Sequence, residues 1–147
     1  MELVIEGVDL PGATCGPGPD RPDGHHGIHV GVPRRGRQQE LLGLTPGDAA
    51  SATWVLPVQV AGADVRGPWV QGRPGNRFVY LSWVTVEGGG EPRLFRRAKV
   101  MLAAVPGPVL AAAAASGRLV ARIGLTDAKG HPTCAALRPP LVEWRAG

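Results

Sequence analysis

The chain predicts an α+β fold, a mostly antiparallel β-sheet of barrel-like or sandwich-like form covered by an αα-hairpin. Three observations carry this. Apolar residues alternate in the strand manner through most of the first half; a helical repeat of about 3.6 residues takes over between Leu94 and Ser116; and alternation returns after Gly117 with no strict βαβ order. At 147 residues the chain has the commonest size of a single domain.

In chain order, Glu2 to Glu6 is short, apolar and β-branched, hence a strand. Gly7 to Gly27, rich in Pro and Gly, can continue neither a helix nor a central strand and reads as a long loop, a candidate lid. Ile28, Val30 and Val32 alternate with His29 and Gly31, and Pro33 points to an edge strand. Gln38 to Leu44 is a further short strand, closed by the turn Thr45-Pro46-Gly47-Asp48. From Ala52 to Val60 the residues Trp54, Leu56, Val58 and Val60 share one face, and Pro57 disfavours a central place. Arg77 to Val86 carries bulk on both faces, with Phe78 and Tyr80 opposing Val79, Leu81 and Trp83, which marks a central strand.

Beyond Gly88-Gly89-Gly90, Leu94, Ala98, Met101, Leu102 and Val105 form a helical stripe flanked by Arg97 and Lys99. Pro106-Gly107-Pro108 stops that helix, Pro108 suits the first turn of a second one from Val109 to Ser116, and Gly117 sits where a C-terminal cap belongs. Arg118 to Thr126 is a strand, Asp127-Ala128-Lys129-Gly130 a hairpin loop, Pro132 to Leu137 the return strand, and Leu141 to Trp144 the last one.

Composition narrows function. Apolar residues at 44% and charged residues at 19% exclude a disordered chain, and no apolar run reaches the roughly 20 residues of a membrane span. The N-terminus lacks a basic region followed by a long apolar stretch, so a cytoplasmic protein with reduced Cys15 and Cys134 is expected. A net charge of +4 suits an anionic partner, yet it lacks the clustered basic stripe of a nucleic-acid binder, and nucleic acid is disfavoured.

The segment from Gly67 to Met101 concentrates cations and rings. Arg73, Arg77 and Arg97 offer guanidinium forks for phosphate or carboxylate, with Trp69 and Tyr80 as flat walls. Asp127, Lys129 and His131 crowd one hairpin loop and form a set able to move protons and anchor an anion, although a hairpin asks for Asp and Gly there on backbone grounds alone. His25, His26 and His29, with Asp20 and Asp23 upstream, are the one cluster that resembles a metal set; adjacent histidines in a Gly-rich loop seldom converge, so no metal and no cofactor is expected. Cys15 lacks an assured activating base, no serine stands in a nucleophile elbow, and GRPGNR lacks the ending of a phosphate-binding P-loop.

Taken together, DLPGATCGPGPD, DAASATW, RGPWVQGRPGNRFVYLSW, FRRAKVML and LTDAKGHPTCAALRPPLVEW resemble a family of small actinobacterial proteins known only as a domain of unknown function. The resemblance implies one compact cytoplasmic domain and transfers no activity. Two functional readings follow from the residues. The first is a domain binding an anionic small molecule through Arg73, Arg77, Arg97, Lys129, Trp69 and Tyr80, extended to metal-independent acid–base chemistry by Asp127 and His131. The alternative is a non-catalytic module that docks a protein partner or forms a homodimer through its edge strands or its helical pair.

Overall fold

The computed structural model describes residues 1–8, 24–31, 42–46, 52–87, 93–124 and 141–147. They form β1 (Glu2–Val8), β2 (Gly24–Val30), β3 (Leu42–Pro46), β4 (Ala52–Pro57), β5 (Gln59–Ala61), β6 (Asp64–Arg66), β7 (Phe78–Glu87), β8 (Arg93–Met101), α1 (Gly107–Ser116), β9 (Arg118–Gly124) and β10 (Leu141–Ala146). The strands make two open four-stranded sheets, ordered β10-β9-β1-β4 and β3-β2-β7-β8, and a small β5-β6 hairpin. The fold is a sheet-rich α+β one. No helix among the described residues is long and apolar enough to cross a membrane.

The first sheet is built by β1, which pairs antiparallel with β4 and parallel with β9. Register puts Leu3 between Leu56 and Leu119, and Ile5 between Trp54 and Ala121. All six are buried and belong to one core cluster. On the opposite face, Glu2 and Glu6 alternate with Val4, and Arg118 Nη2 donates to Glu2 Oε2 at 2.9 Å while Arg145 Nη2 donates to Glu6 Oε1 at 3.0 Å. Such exposed pairs contribute about 0–1 kcal/mol each, against about 1.5–3 kcal/mol for each large apolar side chain taken out of water, so the core face sets the stability. β4 lies at the sheet edge, as Pro57 foretells.

In the second sheet β7 lies between β2 and β8, the interior place that its two bulky faces predict. Val79 and Leu81 enter the shared core together with Val30 of β2 and Val100 of β8, whereas Tyr80 is buried outside that cluster. β2 is interior, between β3 and β7, because Pro33 lies past its end. Among the described residues the sheets stay open, with no barrel, and there is no αα-hairpin: the stripe from Leu94 to Val105 is β8 followed by a 3-10 turn at Leu102–Ala104. A register shift between Trp83 and Val84 leaves Phe95 as an extra residue, since Trp83 faces Arg96 and Val84 faces Leu94. That bulge puts Leu94 and Ala98 on opposite faces of β8, and the stripe runs on past Met101 into the 3-10 turn, so its helical spacing joins residues of two elements.

α1 is the one α-helix among the described residues. Pro108 stands in its first turn, and Gly117, with φ of 81°, ends it by donating its N–H to the Ala113 carbonyl. The helix packs on β9 and β10 through Leu110 and Ala113. Alanine at the contact permits a close approach at little entropic cost.

Candidate functional site

Among the described residues, the loop that leads into β7 is held at several points. Gln71 and Phe78 exchange backbone hydrogen bonds at 2.9 and 3.0 Å, closing the hexapeptide GRPGNR between them. Within it Asn76 N–H donates to the Arg73 carbonyl at 2.8 Å, a turn with Pro74 second and Gly75, at φ of 83°, third. That is the residue order of a type II turn. Gly72 has φ of 88°, and a Cβ there would strike the Asn76 carbonyl and sit 3.1 Å from Phe78 Cε1.

Arg77 fastens the loop from its far end. Its Nε donates to Asp64 Oδ1 at 3.0 Å, Nη2 donates to Asp64 Oδ2 at 3.3 Å, and Nη1 donates to the Gly72 carbonyl. Arg66 Nε donates to Asp64 Oδ2 at 2.6 Å. The Arg77 hydrogen bonds foremost, and then those from Arg66, hold the Asp64 carboxyl below its ordinary range. The Asp64 and Arg77 side chains are 12% and 19% exposed, so this pair is largely sheltered while Arg66, at 61%, is not. Asp64 is available to Arg77 because Gly62 and Ala63 turn the β5-β6 hairpin, an element the sequence reading omits.

Phe78 connects the loop to β8. Its ring meets Tyr80 edge to face, with centroids 4.9 Å apart, and Lys99 Nζ lies 4.4 Å from the Phe78 centroid and 5.9 Å from that of Tyr80. Tyr80 faces Lys99 across the strands, and Ser82 faces both Arg97 on β8 and His29 on β2. Arg97 and Lys99 thus hold successive positions of one parity on an antiparallel ladder. Among the described residues Lys99 and Arg73 have no carboxylate partner, whereas Arg66 and Arg77 share Asp64, Arg118 meets Glu2 and Arg145 meets Glu6.

The candidate residues read from sequence therefore separate. Tyr80 and Arg97 fall on neighbouring positions of β7 and β8, and Arg73 is exposed on the loop that abuts Phe78. Arg77 has its guanidinium filled by Asp64 and Gly72. Trp69 is half-buried against the core. Asp127, Lys129 and His131 lie outside the described residues, as do Cys15, Cys134, Asp20 and Asp23. His25, His26 and His29 belong to β2, not to a loop, and the described residues hold no group of three potential metal ligands. Lys99, absent from the candidates read from sequence, stands two residues after Arg97 on β8 and across from Tyr80. Comparison with curated proteins and with solved structures finds no match. A family profile does match the chain over residues 1–147, and the protein belongs to DUF5990, a family of unknown function.

Proposed function

We propose that this protein binds an anionic small molecule on the β7-β8 face, with Lys99 and Arg97 as cations, Phe78 and Tyr80 as the apolar floor, and Arg73 reaching in from the GRPGNR loop. The observation that carries the reading is the placement of Lys99. It is exposed, held over an aromatic pair at 4.4 and 5.9 Å, and has no carboxylate partner among the described residues. A cation fixed on rings keeps its charge free for an incoming oxyanion and loses little side-chain entropy on binding. Arg77 acts in this reading as the fastener that positions Arg73 and Phe78, not as a ligand to the anion. Asp127 and His131 carry no part of it.

The test is isothermal titration with inorganic phosphate and with citrate, beside thermal shifts over the same anions and nucleotides. A ligand at 100 times its dissociation constant raises stability by about 2.7 kcal/mol. Lys99→Ala and Arg97→Ala each weaken the titrated affinity about ten-fold with the melting point nearly unchanged. A flat screen, or full affinity in both variants, removes the proposal.

A further inference from the structure

β8 closes one side of its sheet, and no described strand pairs with its outer edge. Which of its backbone groups face that edge follows from the ladder. Leu102 N–H donates to the Arg77 carbonyl at 2.9 Å, while Phe78 exchanges its bonds with Gln71 and the Tyr80 carbonyl accepts from Gly31 N–H at 2.9 Å. Antiparallel pairs alternate between bonded and non-bonded. Val100 opposite Val79 and Ala98 opposite Leu81 therefore spend their N–H and C=O on β7. Arg97, Lys99 and Met101 direct theirs away from it.

The same stretch is strongly charged. β8 reads RLFRRAKVM, with Arg93, Arg96, Arg97 and Lys99 as cations and no carboxylate. Cations on an edge strand oppose pairing with a second β8, because like charges would stand directly across from each other. They favour a strand of opposite charge. In a bonded antiparallel pair the facing residues are about 5.5 Å apart at Cα and lie on the same side of the sheet, so residues opposite Arg97 and Lys99 belong on the Tyr80 face. The residue between them faces Ala98 and falls on the side of Val100, which is fully buried in the core. The bulge at Phe95 ends the regular edge before Arg97, and the 3-10 turn ends it after Met101.

We propose that β8 is a docking edge for an extended peptide segment of a partner protein, one with acidic residues at alternate positions opposite Arg97 and Lys99 and an apolar residue between them. Main-chain hydrogen bonds from Arg97, Lys99 and Met101 hold the segment, and the two cations set its sequence. This goes beyond the small-anion reading, since it uses backbone groups that a small anion on the ring face leaves free.

The experiment is fluorescence anisotropy of the full chain with a short fluorescein-labelled peptide alternating glutamate and valine. Four controls accompany it: a peptide of the same composition in block order, the alternating peptide with its glutamate amides N-methylated, the Lys99→Glu protein and the Arg97→Glu protein. Saturable binding is expected for the alternating peptide, at least about ten-fold weaker in each control. Absence of binding overturns the proposal. So does equal binding of the block or N-methylated peptide, which would reduce the effect to charge attraction. Phosphate affinity measured on the same protein is independent of N-methylation, so failure of the peptide and failure of the small-anion reading are told apart.

Discussion

Replacing Gly72 and Gly75 by alanine separates two costs within one loop. Both glycines have positive φ, 88° and 83°. A side chain in that region costs about 1–2 kcal/mol. At Gly75 nothing lies within 4 Å of the added Cβ, so the conformational cost is the whole effect. At Gly72 the Cβ meets the Asn76 carbonyl, a backbone atom held by the turn, and Phe78 Cε1 at 3.1 Å. Overpacking of that kind adds about 1–3 kcal/mol. Unfolding entropy of about 2.1 cal/mol/K per residue makes 1 kcal/mol worth about 3 °C in a chain of 147 residues. Thermal unfolding followed by tryptophan fluorescence should thus show Gly75→Ala lower by about 3–6 °C and Gly72→Ala lower by about 6–15 °C. Because the Gly72 clash pushes on the ring that carries Lys99, phosphate affinity should fall in Gly72→Ala and hold in Gly75→Ala. Equal melting points in the two variants would refute the loop geometry.

Lys99→Ala should lower stability by no more than about 1 kcal/mol, the worth of an exposed cation–π contact, and a larger loss by urea unfolding would give Lys99 a structural role instead. Asp64 has a folded pKa below its unfolded one, so its contribution is present above the unfolded value of about 3.9 and is lost as pH falls through the folded value. The melting-point gap between wild type and Asp64→Asn should accordingly stay flat near neutrality and close at acid pH; a gap independent of pH would contradict the Arg77 and Arg66 bonds. Ile123→Ala, at a fully buried position, should cost about 2–5 kcal/mol, while Arg118→Ala should cost under about 1 kcal/mol, as denaturant midpoints would show.

Local chemistry made much of this fold legible. Trp54, Leu56 and Val58 face the core as their alternation requires, Pro57 marks an edge, and Pro108 and Gly117 bracket α1. These signals act within a few residues, where sterics and burial decide alone. What was misread depends on distant partners. The bulge in β8 exists only against β7, and the apparent helical stripe joins β8 residues to those of the 3-10 turn that follows. The parallel pairing of β1 with β9 has no local mark at all. Spacing puts Tyr80 on a strand and Arg97 on a helix, whereas the ladder sets both on adjacent strands with Lys99 directly across from Tyr80. Arg77 looked free because its partner, Asp64, is thirteen residues earlier on a hairpin whose turn, Gly62-Ala63, lacks the usual Asn-Gly sign.

The pairing of β1 with β9 also governs the order in which the chain can mature. Glu2 and Arg118, which face each other across those strands, are 116 residues apart. On a ribosome the β1-β4 pair and the β2-β7-β8 ladder can assemble as soon as their own strands emerge, whereas the other edge of β1 stays unpaired until β9 follows. Closing so long a loop is slow, and contacts of this range lower folding rates. During that wait β1 offers an unpaired strand edge, the interval in which the nascent protein is most open to aggregation and to chaperone capture.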